Sequence, residues 1–124
     1  MGCSTILIVE DDESIRETLK LALEFEGYEV RTAENGHEGL KILPKIPKPC
    51  LILLDLMMPV MNGWDFAAAL DKDVFLAPIP IVVVTAFGDK AKTLNQASSV
   101  IKKPVNLELL FKTVRHYCQV GQVL

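Results

Sequence analysis

Short apolar runs alternate with longer amphipathic segments along the whole chain. The apolar run at residues 51–54, LILL, shows no polar alternation, which is typical of a strand covered on both faces in a parallel sheet. Strands are predicted at residues 6–10, 28–33, 51–55, 81–85 and 100–102. Helices are predicted at 13–26, 36–43 and 64–70, with a brief one within 89–99 and a last one after 106. This alternation predicts an α/β fold of βα units around a doubly wound, five-stranded parallel sheet.

Helix ends are marked by residues that favour caps and breaks. Gly27 follows the first helical pattern, and three prolines between residues 44 and 49 end the second. Asn106 can cap the last helix through its side-chain oxygen. The inward stripe predicted for that helix consists of Leu107, Leu110, Phe111, Val114 and Cys118.

Composition narrows the classes of protein to consider. The 124 residues suffice for one domain, and no apolar run approaches the ~20 residues that cross a bilayer. A net charge of −3 without a basic stripe argues against direct binding of nucleic acid. The N-terminus lacks the pattern of a signal peptide, so we expect a cytoplasmic protein without membrane contact. Cys3, Cys50 and Cys118 lack metal-ligand spacing and are expected to be reduced thiols.

Polar residues follow four of the five predicted strands. Parallel strands present their carboxyl ends at one edge of the sheet, where ligands bind. The residues at those ends are Glu10, Asp11 and Asp12, then Asp55, Thr85 and Lys103. Carboxylates about 5 Å apart repel by roughly 3 kcal/mol per pair at an effective dielectric near 20, so a cation must offset them. Lys103 and Mg²⁺ fit this need, and the set matches phosphoryl transfer to Asp55, with Thr85 donating to a phosphoryl oxygen.

Four motifs at successive strand ends resemble the receiver domain of two-component response regulators. They are VEDDESIR, LLDLMMPVMNGW, VVVTA and KKP, and they span essentially the whole chain. The resemblance implies a flavodoxin-like sheet of order 2-1-3-4-5. It implies Asp55 as phosphoacceptor, with Mg²⁺ held by Glu10, Asp11, Asp55 and the Met57 carbonyl. It also implies Thr85 as the switch hydroxyl, Lys103 as the phosphate-binding lysine, and a cis bond between Lys103 and Pro104.

Some assignments keep an alternative. Asp12 could replace one member of the Glu10 and Asp11 pair, although the position of the Ile-Arg that follows favours Asp12 as the start of the helix. Lys102 competes with Lys103, but strand alternation turns it the other way. His37 and His116 do not follow strands and are expected on helix surfaces.

The chain departs from the family pattern before its fifth strand. Thr85 and Lys103 are 18 positions apart, about four residues or one helical turn fewer than is usual, which predicts a shortened fourth helix. The fifth-strand aromatic of the family is Val100 here. Met57 and Phe87 occupy positions that influence access of hydrolytic water in the family, and both being apolar predicts a long-lived phosphoryl group.

The resemblance implies a single receiver domain over residues 1–124, without an output domain. It would accept a phosphoryl group from a histidine kinase or phosphotransfer protein and signal to a further protein, as a monomer or weak dimer. It would not be an enzyme beyond self-catalysed transfer to Asp55 and slow autodephosphorylation. The alternative is a degenerate receiver that binds partners without phosphorylation. A phosphohydrolase lacks support because Met57 leaves no second carboxylate beside Asp55.

Overall fold

The computed structural model describes residues 5–118 and contains alternating strands and helices. The strands are β1 (Thr5–Val9), β2 (Glu29–Ala33), β3 (Leu51–Leu54), β4 (Ile81–Thr85) and β5 (Ala97–Lys102). The α-helices are α1 (Glu13–Phe25), α2 (Gly36–Ile42), α3 (Gly63–Asp71), α4 (Gly88–Ala91) and α5 (Leu107–Tyr117). A 3-10 turn at Leu43–Lys45 follows α2 and contains a proline. These elements confirm the predicted order of strands and helices.

The five strands form one parallel sheet of order β2-β1-β3-β4-β5. The order reverses between β1 and β3, since the chain first moves outward to β2 and then returns past β1. Such a reversal opens a crevice at the carboxyl ends of the two strands. The predicted doubly wound, flavodoxin-like topology is therefore confirmed, and the crevice lies where β1 delivers Glu10 and β3 delivers Asp55.

Apolar side chains fill both faces of the sheet. One layer contains α1 and α5, packed on alternate residues of β1 and β3 such as Ile8 and Leu53. The other contains α2, α3 and α4, packed on the intervening residues such as Val9 and Leu54. All four residues of β3 are buried, as the absence of alternation predicted.

Side-chain caps fix where four helices begin. The side chains of Asp12, Asn35, Asn62 and Asn106 each accept a hydrogen bond from the backbone N–H three residues later. Each cap pairs one of the N–H groups that a helix start leaves unpaired. Asp12 thus begins α1.

One predicted boundary and one predicted core position differ near the C-terminal part of the fold. β5 begins at Ala97 rather than at residue 100, and its pairing with β4 shifts register at Ile81 and Val82. The four-residue α4 confirms the predicted shortening, and the chain that it leaves uncoiled extends the edge strand. Leu107 is 41% exposed and does not belong to the inward stripe, because it is the first residue of α5 and packing on the sheet begins one turn later, at Leu110.

The expectation of three reduced thiols is wrong for two of them. Cys50 and Cys118 form a disulfide, with their Cα atoms 5.7 Å apart, across 68 positions of sequence. Cys50 directly precedes β3 and Cys118 directly follows α5, so only the packing of α5 on the sheet brings them together. Cys3 lies outside the described residues.

Within residues 5–118, no helix combines the length and the apolar character that crossing a membrane requires.

Candidate functional site

Three carboxylates meet at the carboxyl edge of the sheet. Glu10, directly after β1, is 2% exposed, and Asp55, directly after β3, is 6% exposed. Asp11 is exposed beside them. One oxygen from each carboxylate lies within 4.8 Å of the others. The structure therefore brings together the three acids expected to hold a metal ion.

Lys103 supplies the positive charge next to this cluster. Its Nζ lies 2.7 Å from Glu10 Oε1 and 3.6 Å from Asp55 Oδ2. The bond that joins it to Pro104 is cis, the geometry implied by the resemblance. Lys102 is exposed and its side chain lies beside Gly88, whereas Lys103 is the lysine that reaches the acids.

The pKa values of the two buried carboxyls are raised, because Lys103 supplies less positive charge than the acids would need to stay ionised. Burial raises the pKa of Glu10 to about 7, and the nearby Asp55 charge adds to this, while the hydrogen bond with Lys103 opposes it. Burial also raises the pKa of Asp55 above its usual range, against the charge of Lys103. Burial alone would lower the pKa of Lys103, but its hydrogen bond to Glu10 and the surrounding acids raise it. A further cation would relieve the repulsion that remains among the acids.

Two neighbouring residues hold the acidic loop in place. The N–H of Asp12 donates to Glu10 Oε2 over 3.1 Å, which orients this carboxylate. Arg16 Nη1 donates to the backbone oxygen of Glu10 at 2.9 Å. In the sequence this arginine only helps to align the VEDDESIR motif, and its position one helical turn past Asp12 is the signal that points to this contact.

Thr85 lies at the same sheet edge and is fully buried. Its hydroxyl oxygen accepts a hydrogen bond from the Phe87 N–H at 3.1 Å. The hydroxyl proton can still donate, and the bond to Phe87 couples Thr85 to the residue directly before α4.

The turn after β3 is shaped by close backbone contacts. A Cβ atom on Gly63 would lie 2.8 Å from the Asp55 carbonyl oxygen and from Leu56 Cα, so glycine is required there. Val60 adopts φ 68, a left-handed conformation that β-branched residues rarely take. Met57 lies in this turn, two residues past Asp55, and its role as a carbonyl ligand stays a prediction.

The chain after α4 is attached to α3 rather than lying free. Trp64 Nε1 donates to Thr93 Oγ1 at 2.8 Å, and Gln96 Nε2 donates to Asp71 at 3.1 Å. The partly buried ring of Trp64 also packs on the core. The indole N–H adds a link between the helix that follows the Asp55 turn and the shortened α4 segment.

Both histidines are exposed on helices, as expected, and neither belongs to the acidic cluster.

This fold and this site define a class of protein. Residues 6–115 match the family model of the response regulator receiver domain, and the chain belongs to that family. It is thus a receiver domain of two-component signalling, a class that signals rather than catalyses metabolic reactions.

Individual relatives support this membership. The chain is 37% identical over 113 residues to the protein PilH of Pseudomonas aeruginosa, covering 88% of this chain and 93% of PilH. It is 43% identical over 86 residues to the phosphate regulon transcriptional regulatory protein PhoB of the same species, covering 69% of this chain and 37% of PhoB. The chain spans less than half the length of several curated relatives that it matches.

Solved structures agree with the fold. The Vibrio cholerae chemotaxis protein CheY4 superposes with a TM-score of 0.82 at 32% identity, covering 93% of this chain and 98% of that one. The response regulator TrrA of Thermotoga maritima, solved in complex with Mg²⁺ and BeF, superposes with a TM-score of 0.82 at 34% identity, covering 92% of this chain and 98% of TrrA.

Proposed function

We propose that Asp55 accepts a phosphoryl group from a histidine kinase or a histidine phosphotransfer protein. The observation that carries this proposal is the meeting of three carboxylates within 4.8 Å, with the Lys103 ammonium 3.6 Å from Asp55. Buried acids of like charge are costly to hold together, and such arrangements occur at sites that bind cations and phosphates.

The residues present fit Mg²⁺. The cluster offers only oxygen donors, which this hard cation prefers, and Asp11 is open to solvent, where the ion can keep its waters. Glu10, Asp11, Asp55 and the Met57 carbonyl would hold it. When bound, the ion would neutralise charge on the phosphoryl oxygens. The complex of the relative TrrA with Mg²⁺ and BeF supports this choice.

The residues of the chain then have distinct parts in the transfer. A carboxylate oxygen of Asp55 attacks the phosphorus, a P–O bond forms, the P–N bond of the donor phosphohistidine breaks, and the imidazole leaves with the electron pair. The Lys103 ammonium stabilises the negative charge on the transferred group. Thr85 donates its hydroxyl proton to a phosphoryl oxygen. The same hydroxyl oxygen accepts the hydrogen bond from the Phe87 N–H.

The hydrogen bond between Thr85 and Phe87 would pass the effect of phosphorylation to the rest of the protein. A Thr85 side chain that turns toward the phosphoryl group gives up its bond to Phe87, and this disturbs the start of α4. A shift of the α4 segment would move α3 through the hydrogen bond between Trp64 and Thr93. This link does not need an aromatic residue at position 100. The output is a change in affinity for a downstream protein, with no direct contact to nucleic acid or membrane.

We further propose that this one receiver domain works in the cytoplasm as a monomer or weak dimer. Its only chemistry would be the transfer to Asp55 and the slow loss of that phosphoryl group. The apolar, partly exposed Met57 and Phe87 side chains beside the site support slow hydrolysis, since neither can position a water molecule.

Phosphorylation with a small donor tests the proposal. The protein is incubated with Mg²⁺ and acetyl phosphate, and intact mass is expected to increase by about 80 Da. Asp55→Ala should abolish this adduct, whereas Asp12→Asn, which changes a neighbouring acid outside the cluster, should retain it. An adduct that survives Asp55→Ala contradicts the assignment. A wild-type protein without adduct would instead favour a phosphorylation-independent interaction module, and steady release of phosphate from an ester would favour a hydrolase.

A further inference from the structure

The disulfide lies at the edge of the sheet opposite to the acidic cluster. Cys50 precedes β3 and Asp55 follows it, so the two sites are about 16 Å apart at the rise of a β-strand. The sulfur pair therefore lies apart from the phosphoryl chemistry, and the proposed function does not use it.

The surroundings of the pair suit both oxidation states. The Cα separation of 5.7 Å lies within the range that a disulfide spans without backbone movement. In this disulfide-bonded structure the Cys50 sulfur is 3.2 Å from the Thr5 carbonyl oxygen, which would accept the S–H proton after reduction. Cys118 is 1% exposed among apolar residues of the α5 layer, an environment in which a neutral thiol packs as a small hydrophobic group. Neither state leaves a costly buried group without a partner.

The two sulfurs differ in access. Cys50 is partly exposed, whereas Cys118 is buried beneath the end of α5. A small reagent can therefore reach Cys50 first, and Cys118 lies in place to complete the exchange. This order is that of an attacking cysteine followed by a resolving one.

Other contacts hold the end of α5 without the covalent bond. The Tyr28 hydroxyl donates to the Cys118 carbonyl oxygen at 3.4 Å, and the hydroxyls of Ser99 and Tyr117 are 2.9 Å apart. Leu110 and Val114 are fully buried against the sheet. Reduction would thus loosen the last turn of α5 while the fold persists.

We propose that Cys50 and Cys118 form a reversible redox site that exchanges with small disulfides of the glutathione class and tethers α5 to the central strand. The Cys50 thiolate attacks one sulfur of oxidised glutathione, whose S–S bond breaks, and one glutathione leaves as a thiol after taking up a proton. The Cys118 thiolate then attacks the Cys50 sulfur and releases the second glutathione. Two protein thiols lose two electrons and two protons, and one glutathione disulfide becomes two thiols. A disulfide in the proposed cytoplasmic setting is typically of this reversible kind.

Thiol counting at controlled redox potential tests the proposal. The full chain carrying Cys3→Ser is equilibrated in reduced or oxidised glutathione, quenched in acid, unfolded and alkylated with a maleimide. Two alkylated thiols are expected in reduced glutathione. None are expected in oxidised glutathione, with a mass lower by about 2 Da before alkylation and one cross-linked peptide that contains both cysteines. In the same background, Cys118→Ser should instead carry one glutathione on Cys50, a gain of about 305 Da.

A second readout concerns the tether. The bond closes a loop of 68 positions that includes β3, β4, β5 and α5, so the oxidised form is expected to melt roughly 10 °C higher than the reduced form. Cys50→Ser should melt like the reduced protein in both buffers.

Three results would overturn the proposal. They are two free thiols after treatment with oxidised glutathione, a bond that reduced glutathione leaves intact in the folded protein, and a cross-link between two chains. None of these depends on the phosphorylation of Asp55, so the proposed function can fail or succeed separately.

Discussion

Raising the pH should destabilise the metal-free protein through Glu10. The pKa of this carboxyl in the folded protein is about 7, above its ordinary value of 4.5, because it is buried beside another acid. The folded protein therefore binds this proton more tightly than the unfolded chain does. The stabilisation is fully present below about pH 4.5 and is lost as the pH rises through about 7. Lys103 does not contribute in this window, since its pKa is raised from 10.5.

The size of the effect follows from these two values. Proton linkage at one group with a pKa of 4.5 unfolded and about 7 folded gives a loss of roughly 2–3 kcal/mol between about pH 5 and about pH 8. The Glu10 side chain is 3% exposed, so solvent screening reduces this value little. For urea slopes of roughly 1–3 kcal/mol per molar, the unfolding midpoint should fall by about 1–3 M.

Urea unfolding in a chelating buffer at the two pH values measures this change. Glu10→Gln should remove most of it, whereas Glu17→Gln, an exposed acid on α1, should behave like wild type. Saturating Mg²⁺ should restore stability at the higher pH, because a ligand bound only by the folded state stabilises it. A midpoint that stays level or rises with pH in wild type, with the same trace for Glu10→Gln, would refute the reasoning.

Three further changes probe the site. Lys103→Met removes the ammonium 3.6 Å from the phosphoacceptor and should slow phosphorylation by acetyl phosphate about 100-fold. The control variant Lys102→Met should leave the rate unchanged. Equal rates for both variants would contradict this role of Lys103. Gly63→Ala places a Cβ atom 2.8 Å from backbone atoms of the turn after β3. Urea unfolding should show a free energy of unfolding lower by about 1–3 kcal/mol. An unchanged value would show that the turn can shift to accommodate the methyl group. Met57→Asn combined with Phe87→Glu should shorten the half-life of the phosphoryl group about tenfold or more, because the polar side chains can position a water molecule. Loss of the mass adduct over time measures this half-life. An unaltered half-life would count against shielding by Met57 and Phe87.

Local sequence carried much of the fold because periodicity is a local property. The unbroken apolar run of β3 predicted burial on two faces, and the cap residues predicted helix starts to within one or two positions. The short interval between Thr85 and Lys103 predicted a stunted α4, although the earlier start of β5 arose from pairing with β4 that no local pattern records. Leu107 shows the same limit, since helical periodicity does not say where the sheet beneath a helix ends.

The candidate site was predictable in composition but not in geometry. Residues that end parallel strands must share one edge, so Glu10, Asp55 and Lys103 could be grouped from sequence. The 2.7 Å contact between Lys103 and Glu10, and the burial that raises the pKa of Glu10 to about 7, depend on the surrounding packing. The Trp64 contact with Thr93 also crosses between segments that are distant in sequence.

The sequence by itself determined the order of strands and helices, the residue types at each strand end and the family to which the chain belongs. Tertiary structure alone decided that Cys50 and Cys118 pair, that the Lys103 ammonium lies 2.7 Å from Glu10, and that Trp64 attaches the shortened α4 segment to α3. The physical reason is the distance along the sequence over which each interaction acts. Periodicity and capping act within a few residues, whereas a contact across 68 positions exists only after apolar burial has fixed the layers on the sheet.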